Sequence, residues 1–208
     1  MSTIIAIDGP AGSGKSTLAR ALAERLSFDV LDTGAMYRAL TVECLRRGVD
    51  VTSDEAVSDV AHAIHVTTLP DVRVDGRLVD DQLRTPEVNI AVSIVAALPA
   101  ARAAMVRAQR EQAAASTRGL VAEGRDLTTV VFPDATIKIF LTASLDERAR
   151  RRGEESRDSV ARRDHLDSTR SASPLRQAND ARLLDTTGRS VAELVEEVVG
   201  WLENITSN

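Results

Sequence analysis

The feature that most constrains this chain is the segment GPAGSGKS, residues 9–16, which fits the pattern G-x-x-x-x-G-K-S. The apolar, β-branched run TIIAI precedes it, and STLARALAERL follows it with apolar residues spaced as on one face of a helix. A glycine-rich loop between a buried strand and a helix N-terminus is the setting in which this motif binds phosphate. We therefore predict that the chain binds a nucleoside triphosphate at this loop.

The residue types of the loop match the chemistry of a triphosphate. Its glycines permit backbone angles that turn successive N–H groups toward an anion. Lys15 is expected to reach the β- and γ-phosphates, and the Ser16 hydroxyl is expected to ligate the Mg²⁺ that accompanies ATP. A loop that uses its glycines only for turning is the alternative, which the flanking strand and helix disfavour. The predicted ATP-binding residues are Gly9, Pro10, Ala11, Gly12, Ser13, Gly14, Lys15, Ser16 and Thr17.

Composition excludes several classes of partner. The net charge of -5 and the aromatic content of 2% disfavour nucleic-acid binding. No apolar run approaches the roughly 20 residues that a membrane helix needs. The single cysteine, Cys44, cannot form an internal disulfide, and a strand this close to Met1 leaves no room for a signal peptide. We expect a cytoplasmic protein whose partners include neither nucleic acid nor membrane.

Strand and helix patterns alternate along most of the chain. Strands are predicted at residues 3–7, 28–31, 119–126, 137–141 and 181–187. Helices are predicted at about 35–47, where Gly48 caps the C-terminus, and after the caps Ser53 and Thr85, as well as from Pro99 to about Ala115. A hairpin is predicted around Asp75-Gly76. The arginine-rich segment up to about Arg170 is predicted to be helical, and a last helix is predicted to begin with a capping box of Ser190 and Glu193.

This alternation predicts an α/β fold in three layers, in which helices cover both faces of a parallel five-stranded sheet. Residues 50–118 interrupt the alternation and are interpreted as an inserted subdomain. The segment DTTG at 185–188 matches the D-x-x-G of GTPases, but the sequence contains no N-K-x-D guanine-reading motif. A GTPase is therefore disfavoured, whereas the loop alone leaves kinases and ATPases open.

Four further segments resemble the bacterial cytidylate kinases: LDTGAMYRAL at 31–40, EGRDLTTVVFPDATIKIFLTAS at 123–144, RRDHLDSTR at 162–170 and SPLRQANDARLLDTT at 173–187. With the phosphate loop they extend over nearly the whole chain, in the order of the family. The resemblance implies a monomeric enzyme of pyrimidine nucleotide metabolism that phosphorylates CMP and dCMP with ATP and Mg²⁺. It also implies one kinase domain over residues 1–208, with a core at about 1–49 and 119–208, a monophosphate-binding insert at about 50–118 and a short lid at about 148–165.

The resemblance assigns roles to individual side chains. Arg38, Arg125 and Arg170 would hold the acceptor phosphate and join Lys15 as the catalytic set, since guanidinium groups bind a phosphate bidentately. A surface salt bridge is the alternative for each of these arginines. The remaining substrate-binding positions are Ser93, Arg102 and Asp126 for cytosine, Arg163 and Asp167 for the sugar, and Thr33 and Tyr37. For the cytosine set an N-cap or a solvated charge stays possible, and Tyr37 could equally be core.

The chain departs from the family at the lid, where only GEESRDSVA, residues 153–161, joins two arginine-rich segments. Which lid arginine reaches the triphosphate is left open among several, and a solvated helix face explains them equally well. Asp8 is expected to be structural. The alternatives to a cytidylate kinase are another nucleotide or small-metabolite kinase with this loop, and a non-catalytic nucleotide-binding module. The candidate lid arginines are Arg148, Arg150, Arg151, Arg152 and Arg157.

Overall fold

The computed structural model describes residues 3–68, 71–153, 157–170 and 173–206. The chain forms two compact units, one of residues 1–30 with 116–208 and one of residues 31–115. We refer to them as the first and second units. Among the described residues no single helix is long and apolar enough to cross a membrane. Two consecutive helices, at 86–95 and 99–115, meet both criteria only when they are taken together, and the chain bends by 96° between them.

The first unit is built on a parallel sheet. Its elements are β1 (Ile4–Asp8), α1 (Lys15–Leu26), β2 (Asp29–Asp32), β6 (Leu120–Gly124), β7 (Ile137–Thr142), α6 (Leu145–Arg151), α7 (Arg157–Thr169), β8 (Arg182–Asp185) and α8 (Val191–Thr206), and the unit boundary falls within β2. The strand order is β2-β6-β1-β7-β8, with β1 parallel to β6 and β7. The predicted five-stranded α/β fold is confirmed.

The core of the first unit lies where α1 and α8 cover the central strands. Both strands next to β1 bury apolar side chains, because a parallel sheet covered by helices is buried on its faces. A loop that follows β1 is thereby anchored on a central strand whose last four residues are buried. The fully buried members of this core include Ile5, Ile7, Leu22, Val121, Ile139, Leu141 and Val198.

The second unit consists of helices and a small antiparallel sheet. Its elements are α2 (Thr33–Arg46), α3 (Asp54–Ala63), β3 (Val66–Thr67), β4 (Arg73–Val74), β5 (Arg77–Leu78), α4 (Pro86–Val95) and α5 (Pro99–Ala115). The helix α3 packs on α5, and α2 packs on α4. The three short strands lie in the order β3-β4-β5.

Most of the local sequence predictions are confirmed at the residues that carry them. Ser53 and Thr85 accept hydrogen bonds from the N–H groups of Ala56 and Val88, and Asp75 and Gly76 form the turn of the β4–β5 hairpin with positive φ. The capping box is present, because Ser190 N donates to Glu193 and Glu193 N donates to Ser190.

Two of the local predictions differ from the structure. The helix predicted at about residue 35 begins at Thr33, because the carboxylate of Asp32 accepts the N–H of Ala35 and caps it. The helical region predicted before Arg170 contains two helices, α6 and α7, and Arg152 is the C-cap residue of α6. The pattern also did not predict β3 or the π-helical turn at Leu127–Val131.

A buried carboxylate organises the second unit. Glu43, whose side chain is 3% exposed, pairs with Arg46 and Arg47 of its own helix and with Arg77 of the β5 strand at 2.8 Å. Hydrogen bonds from Arg46, partly offset by burial and followed by those from Arg47, lower the pKa of Glu43 to about 2. The small sheet is thus tied to α2 through a single acidic side chain.

We predict that Glu43→Gln destabilises the protein by roughly 1–3 kcal/mol at pH 7, because three guanidinium groups lose their shared anion. The pKa of Glu43 lies below its ordinary 4.5. This contribution is therefore complete above pH 4.5 and is lost as the pH falls toward about 2. Urea unfolding of both proteins between pH 7 and pH 3 should show a difference that shrinks with acidification.

The matched control is Glu111→Gln, which removes an exposed carboxylate 3.7 Å from Arg107. Because exposed ion pairs contribute little, its free energy of unfolding should stay within about 0.5 kcal/mol of the unsubstituted protein. Equal stabilities for Glu43→Gln and the unsubstituted protein at pH 7 would contradict the assigned role of Glu43.

Candidate functional site

The phosphate loop connects the carboxyl end of β1 to the first residue of α1, and close contacts explain two of its glycines. A Cβ on Gly9 would lie 2.2 Å from the carbonyl oxygen of Leu141, and one on Gly12 would lie 2.8 Å from that of Arg148. Gly12 also has a φ of 77°, which disfavours other residues. The loop therefore packs directly on the chain at β7 and α6.

The carbonyl groups of the loop are held by three cations. Lys15 Nζ donates to the carbonyl oxygen of Pro10 at 2.9 Å. Two arginines of α6 bond the next carbonyls: Arg148 Nη1 donates to Ala11 O at 3.2 Å, and Arg151 Nη1 donates to Ser13 O at 3.4 Å. A loop that directs its N–H groups toward an anion needs other donors for its carbonyls, and these side chains supply them.

The two α6 arginines have further partners that fix their position. Arg148 is buried, donates to Ala143 O at 3.1 Å and pairs with Asp164 of α7. Arg151 donates to both oxygens of Thr186 at 2.8 and 2.9 Å. Two of the predicted lid arginines thus bond the loop itself.

The other candidate lid arginines are less constrained. Arg150 pairs with Glu147, and Arg157, which is exposed, pairs with Asp146 at 3.0 Å. Residues 154–156 of the predicted lid lie outside the described residues, as do the side chains of Ser159 and Arg163. The assignment of a lid arginine to the triphosphate and the role of Arg163 at the sugar stay predictions.

Lys15 lies in a buried cluster of charges. Its side chain is 6% exposed, and burial, followed by the charge of Arg125, lowers its pKa to about 7, against the opposing effects of Glu123, Asp8 and Asp167. This environment leaves the ammonium group poorly solvated. An incoming triphosphate would supply the negative charge that it lacks.

The side-chain oxygens of Ser16 and Glu123 lie together at the phosphate loop. The Ser16 hydroxyl donates to the carboxylate of Glu123, which lies near the end of β6, next to β1 in the sheet. A hydroxyl and a carboxylate are the ligand types that Mg²⁺ takes from a protein when phosphates complete its shell. Glu123 was not among the predicted site residues, although an acidic residue near the end of a buried strand could have indicated a role at the site.

Four of the predicted substrate-binding residues lie in the first unit: Arg125, Asp126, Asp167 and Arg170. Arg125 Nε donates to Asp167 Oδ2 at 2.8 Å, and Arg170 Nε donates to the backbone oxygen of Asp167 at 3.4 Å. Asp126, the neighbour of Arg125, is 6% exposed. The ion pair between Arg125 and Asp167 of α7 is therefore half-buried. It is not the solvated surface salt bridge that was the alternative for Arg125.

The second unit holds five further predicted substrate-binding residues on α2, α4 and α5. Arg102 of α5 is buried, donates to Ala96 O at 2.8 Å and lies 5.4 Å from the ring centroid of Tyr37 on α2. Arg38 bridges α2 to α4 through Leu83 O at 2.7 Å and Asn89 Oδ1 at 2.8 Å. Thr33 is buried at the start of α2, and Ser93 is half-buried on α4.

A cavity of about 320 Å³ opens beside the phosphate loop. Gly14, Thr17 and Leu18 line one side of it, and the arginines Arg150 and Arg151 line another. Thr186 and residues at the start of α8, including Arg189, Val191 and Leu194, complete its wall. Leu18, Val191 and Leu194 give this cavity, which is lined mostly by polar residues, some apolar surface, and its arginines can stack on an aromatic ring. Such a lining next to a phosphate loop suits a purine nucleoside attached to that phosphate.

Comparison with known families decides among the kinases that this geometry permits. The family model for cytidylate kinase matches residues 5–204. The chain belongs to the cytidylate kinase family. It is 44% identical to a cytidylate kinase of Limosilactobacillus fermentum over 96% of this chain and 95% of that one. It is 46% identical to a cytidylate kinase of Pelotomaculum thermopropionicum over 94% and 93% of the two chains.

Solved structures place this cytidylate kinase family member among kinases with the same fold. A gluconokinase of Sinorhizobium meliloti has a TM-score of 0.54 and 15% identity, and the similarity covers 100% of this chain and 94% of that chain. At that identity the likeness shows the fold alone. The sequence-based resemblance to bacterial cytidylate kinases is confirmed by the family match.

We predict that Glu123→Gln raises the Mg²⁺ concentration needed for half-maximal kinase activity by roughly tenfold, because a neutral amide is a poorer ligand and partner for the cation. Activity would be titrated with Mg²⁺ at fixed ATP. Glu24→Gln, which alters an exposed residue of α1, is the control and should leave the titration unchanged. A Glu123→Gln curve that overlays the unsubstituted one would remove Glu123 from the metal site.

Proposed function

We propose that the protein transfers the γ-phosphoryl group of ATP to CMP and dCMP, forming CDP and dCDP. The observation that carries this proposal is the cluster of buried Lys15, buried Glu123 and half-buried Arg125 around the phosphate loop, in a chain of the cytidylate kinase family. The loop would hold the triphosphate, and the cavity beside it would take the adenosine. Another small-metabolite kinase and a non-catalytic module are disfavoured by the family match.

The reaction requires alignment and charge neutralisation more than proton transfer. The attacking atom is an oxygen of the acceptor phosphate, which is already anionic near neutral pH, so no strong general base is needed. Lys15 would stabilise charge that develops on the transferring group, because it lies in a buried position where such an interaction is strong. Mg²⁺, held by Ser16 and Glu123, would supply further positive charge to the phosphates when bound.

The contacts proposed for the acceptor nucleotide are those that the resemblance to the family implies. Arg38, Arg125 and Arg170 would bind its phosphate. Asp126, Ser93 and Arg102 would bind the base. Arg163 and Asp167 would contact the sugar, and Thr33 and Tyr37 would complete the contacts. Residues 50–118 are proposed as the monophosphate-binding insert and about 148–165 as a short lid. A monomer in the cytoplasm, without membrane or nucleic-acid partners, is the proposed working form.

A coupled assay with ATP, Mg²⁺ and a panel of nucleoside monophosphates tests the activity. We expect CMP and dCMP to be the best acceptors, and Lys15→Ala should lower turnover by at least about a hundredfold because the transition state loses a buried cation. The control is Arg107→Ala, which removes an exposed cation and should retain full turnover. Transfer to sugars or to shikimate but to none of the monophosphates would refute the proposal.

Base selection has a separate prediction. Arg102→Ala should raise the KM for CMP and reduce the preference for CMP over UMP by roughly tenfold, because one buried polar contact to the base is lost. The exposed Arg110 of the same helix offers a comparison, and Arg110→Ala should keep the preference. A CMP-to-UMP ratio of kcat/KM that is unaltered in Arg102→Ala would show that the base is recognised by other residues.

A further inference from the structure

Thr186 follows β8 directly, lies against the phosphate loop, and has no part in the mechanism above. The residue is 2% exposed. Its hydroxyl donates to Ser13 O at 3.1 Å and accepts Arg151 Nη1 at 2.8 Å, while its backbone oxygen accepts Arg151 Nη2 at 2.9 Å. One buried residue therefore contacts both the loop and the arginine that bonds the same loop carbonyl.

The Thr186 hydroxyl has one proton and two carbonyl oxygens within reach. Ser13 O and Thr142 O both lie 3.1 Å from the hydroxyl oxygen, and a hydroxyl donates to one of them at a time. Thr142 O already accepts Thr186 N at 2.9 Å. The second donor to Ser13 O is Arg151, whose Nη1 is 3.4 Å away. Ser13 O therefore depends on the hydroxyl proton more than Thr142 O does.

The carbonyl of Ser13 and the N–H of Gly14 belong to one peptide group. A trans peptide is planar, so its C=O and its N–H point in opposite directions. Bonds that hold Ser13 O against Thr186 and Arg151 therefore direct the Gly14 N–H to the opposite side. Gly14 is the N-cap residue of α1, and N–H groups at the start of a helix are suited to bind an anion.

The backbone at Gly14 does not fix this direction by itself. Gly14 has a φ of 93°, and glycine adopts positive and negative φ about equally well. A Cβ on Gly14 would lie 3.4 Å from Arg151 Nη1, an ordinary contact, whereas those on Gly9 and Gly12 would clash. Gly14 is thus required for its backbone angle rather than for space. Rotation of the peptide plane between Ser13 and Gly14 is opposed by the bonds to Ser13 O.

We infer that Thr186 is a positioning residue for the donor nucleotide, whose hydroxyl holds the Ser13–Gly14 peptide with the Gly14 N–H toward the donor phosphates, both directly and through Arg151. This inference rests on the part of the proposed function in which the loop holds the triphosphate, and it does not depend on the acceptor. Without the hydroxyl, the peptide would turn away in a fraction of the molecules. The affinity for the donor would fall in proportion to the fraction that stays competent.

The test measures the dissociation constant of ADP with Mg²⁺ by titration calorimetry in Thr186→Val and Thr186→Ser. Valine has nearly the shape of threonine but no hydroxyl, so Thr186→Val should raise the dissociation constant about tenfold. Thr186→Ser keeps the hydroxyl and should stay within about twofold of the unsubstituted protein. The control is Thr136→Val, because the Thr136 hydroxyl accepts Ile4 N at 3.3 Å at the other end of β1. This variant should bind ADP normally.

A second measurement follows the Gly14 amide proton by NMR. In the unsubstituted protein, ADP should move this resonance downfield, because the N–H gains a phosphate acceptor. In Thr186→Val the shift at saturating ADP should be less than half as large. A role of Thr186 in stability alone would leave this shift unchanged in the folded molecules. If Thr186→Val is not obtained as a folded protein, Thr186→Ala, which also lacks the hydroxyl, replaces it.

Several outcomes would overturn the role of Thr186. They are an ADP dissociation constant that is unaltered in the variant without the hydroxyl, an equal loss of affinity in Thr186→Ser, and a Gly14 shift of full size in the absence of the hydroxyl. A Gly14 resonance that ADP does not move in the unsubstituted protein also overturns it. The proposed function fails separately, since a protein that binds ADP but phosphorylates none of the monophosphates refutes that proposal alone, and the ADP comparison still decides the role of Thr186.

Discussion

A phosphate loop that points its N–H groups at an anion must find donors for the carbonyl groups that face the other way, and much of the first unit serves this requirement. Lys15, Arg148 and Arg151 bond the carbonyls of Pro10, Ala11 and Ser13. Arg148 and Arg151 are in turn held by Ala143, Asp164 and Thr186, so the loop is part of a connected polar network. The buried β1 strand provides the apolar anchor on which this network is built.

The same requirement changes the interpretation of the arginine-rich segment after β7. Its composition favours either a solvated helix face or a set of side chains that close over the triphosphate. Arg148 matches neither description, because its guanidinium is buried between Ala11 O, Ala143 O and Asp164. Arg151 is similarly held by Thr186. Both arginines donate hydrogen bonds to the carbonyl groups of the loop. That role depends on contacts between segments that are far apart in the chain.

Local signals predicted the fold well. The β-branched strands, the Thr85-Pro86 helix start and the Ser190–Glu193 box act over a few residues, and the structure confirms each of them. The phosphate loop could likewise be predicted from the sequence, because all of its residues lie in one contiguous motif. Asp8 and Glu123 were harder to assign because their partners are Thr128 and Ser16, more than 100 positions away. Only the order of the strands brings such residues together.

The close packing of Gly12 on Arg148 limits where the length of this enzyme can vary. With the carbonyl of Arg148 2.8 Å from the position of a Cβ on Gly12, the first turn of α6 has almost no freedom to shift. Residues inserted or deleted before Arg151 would move the donors that bond Ala11 and Ser13. Changes between Gly153 and Asp164 leave the donors on α6 in place as long as Asp164 still pairs with Arg148. The length of the segment proposed as a lid can therefore be altered without redesigning the loop, provided that the exchange begins after α6 and keeps this ion pair.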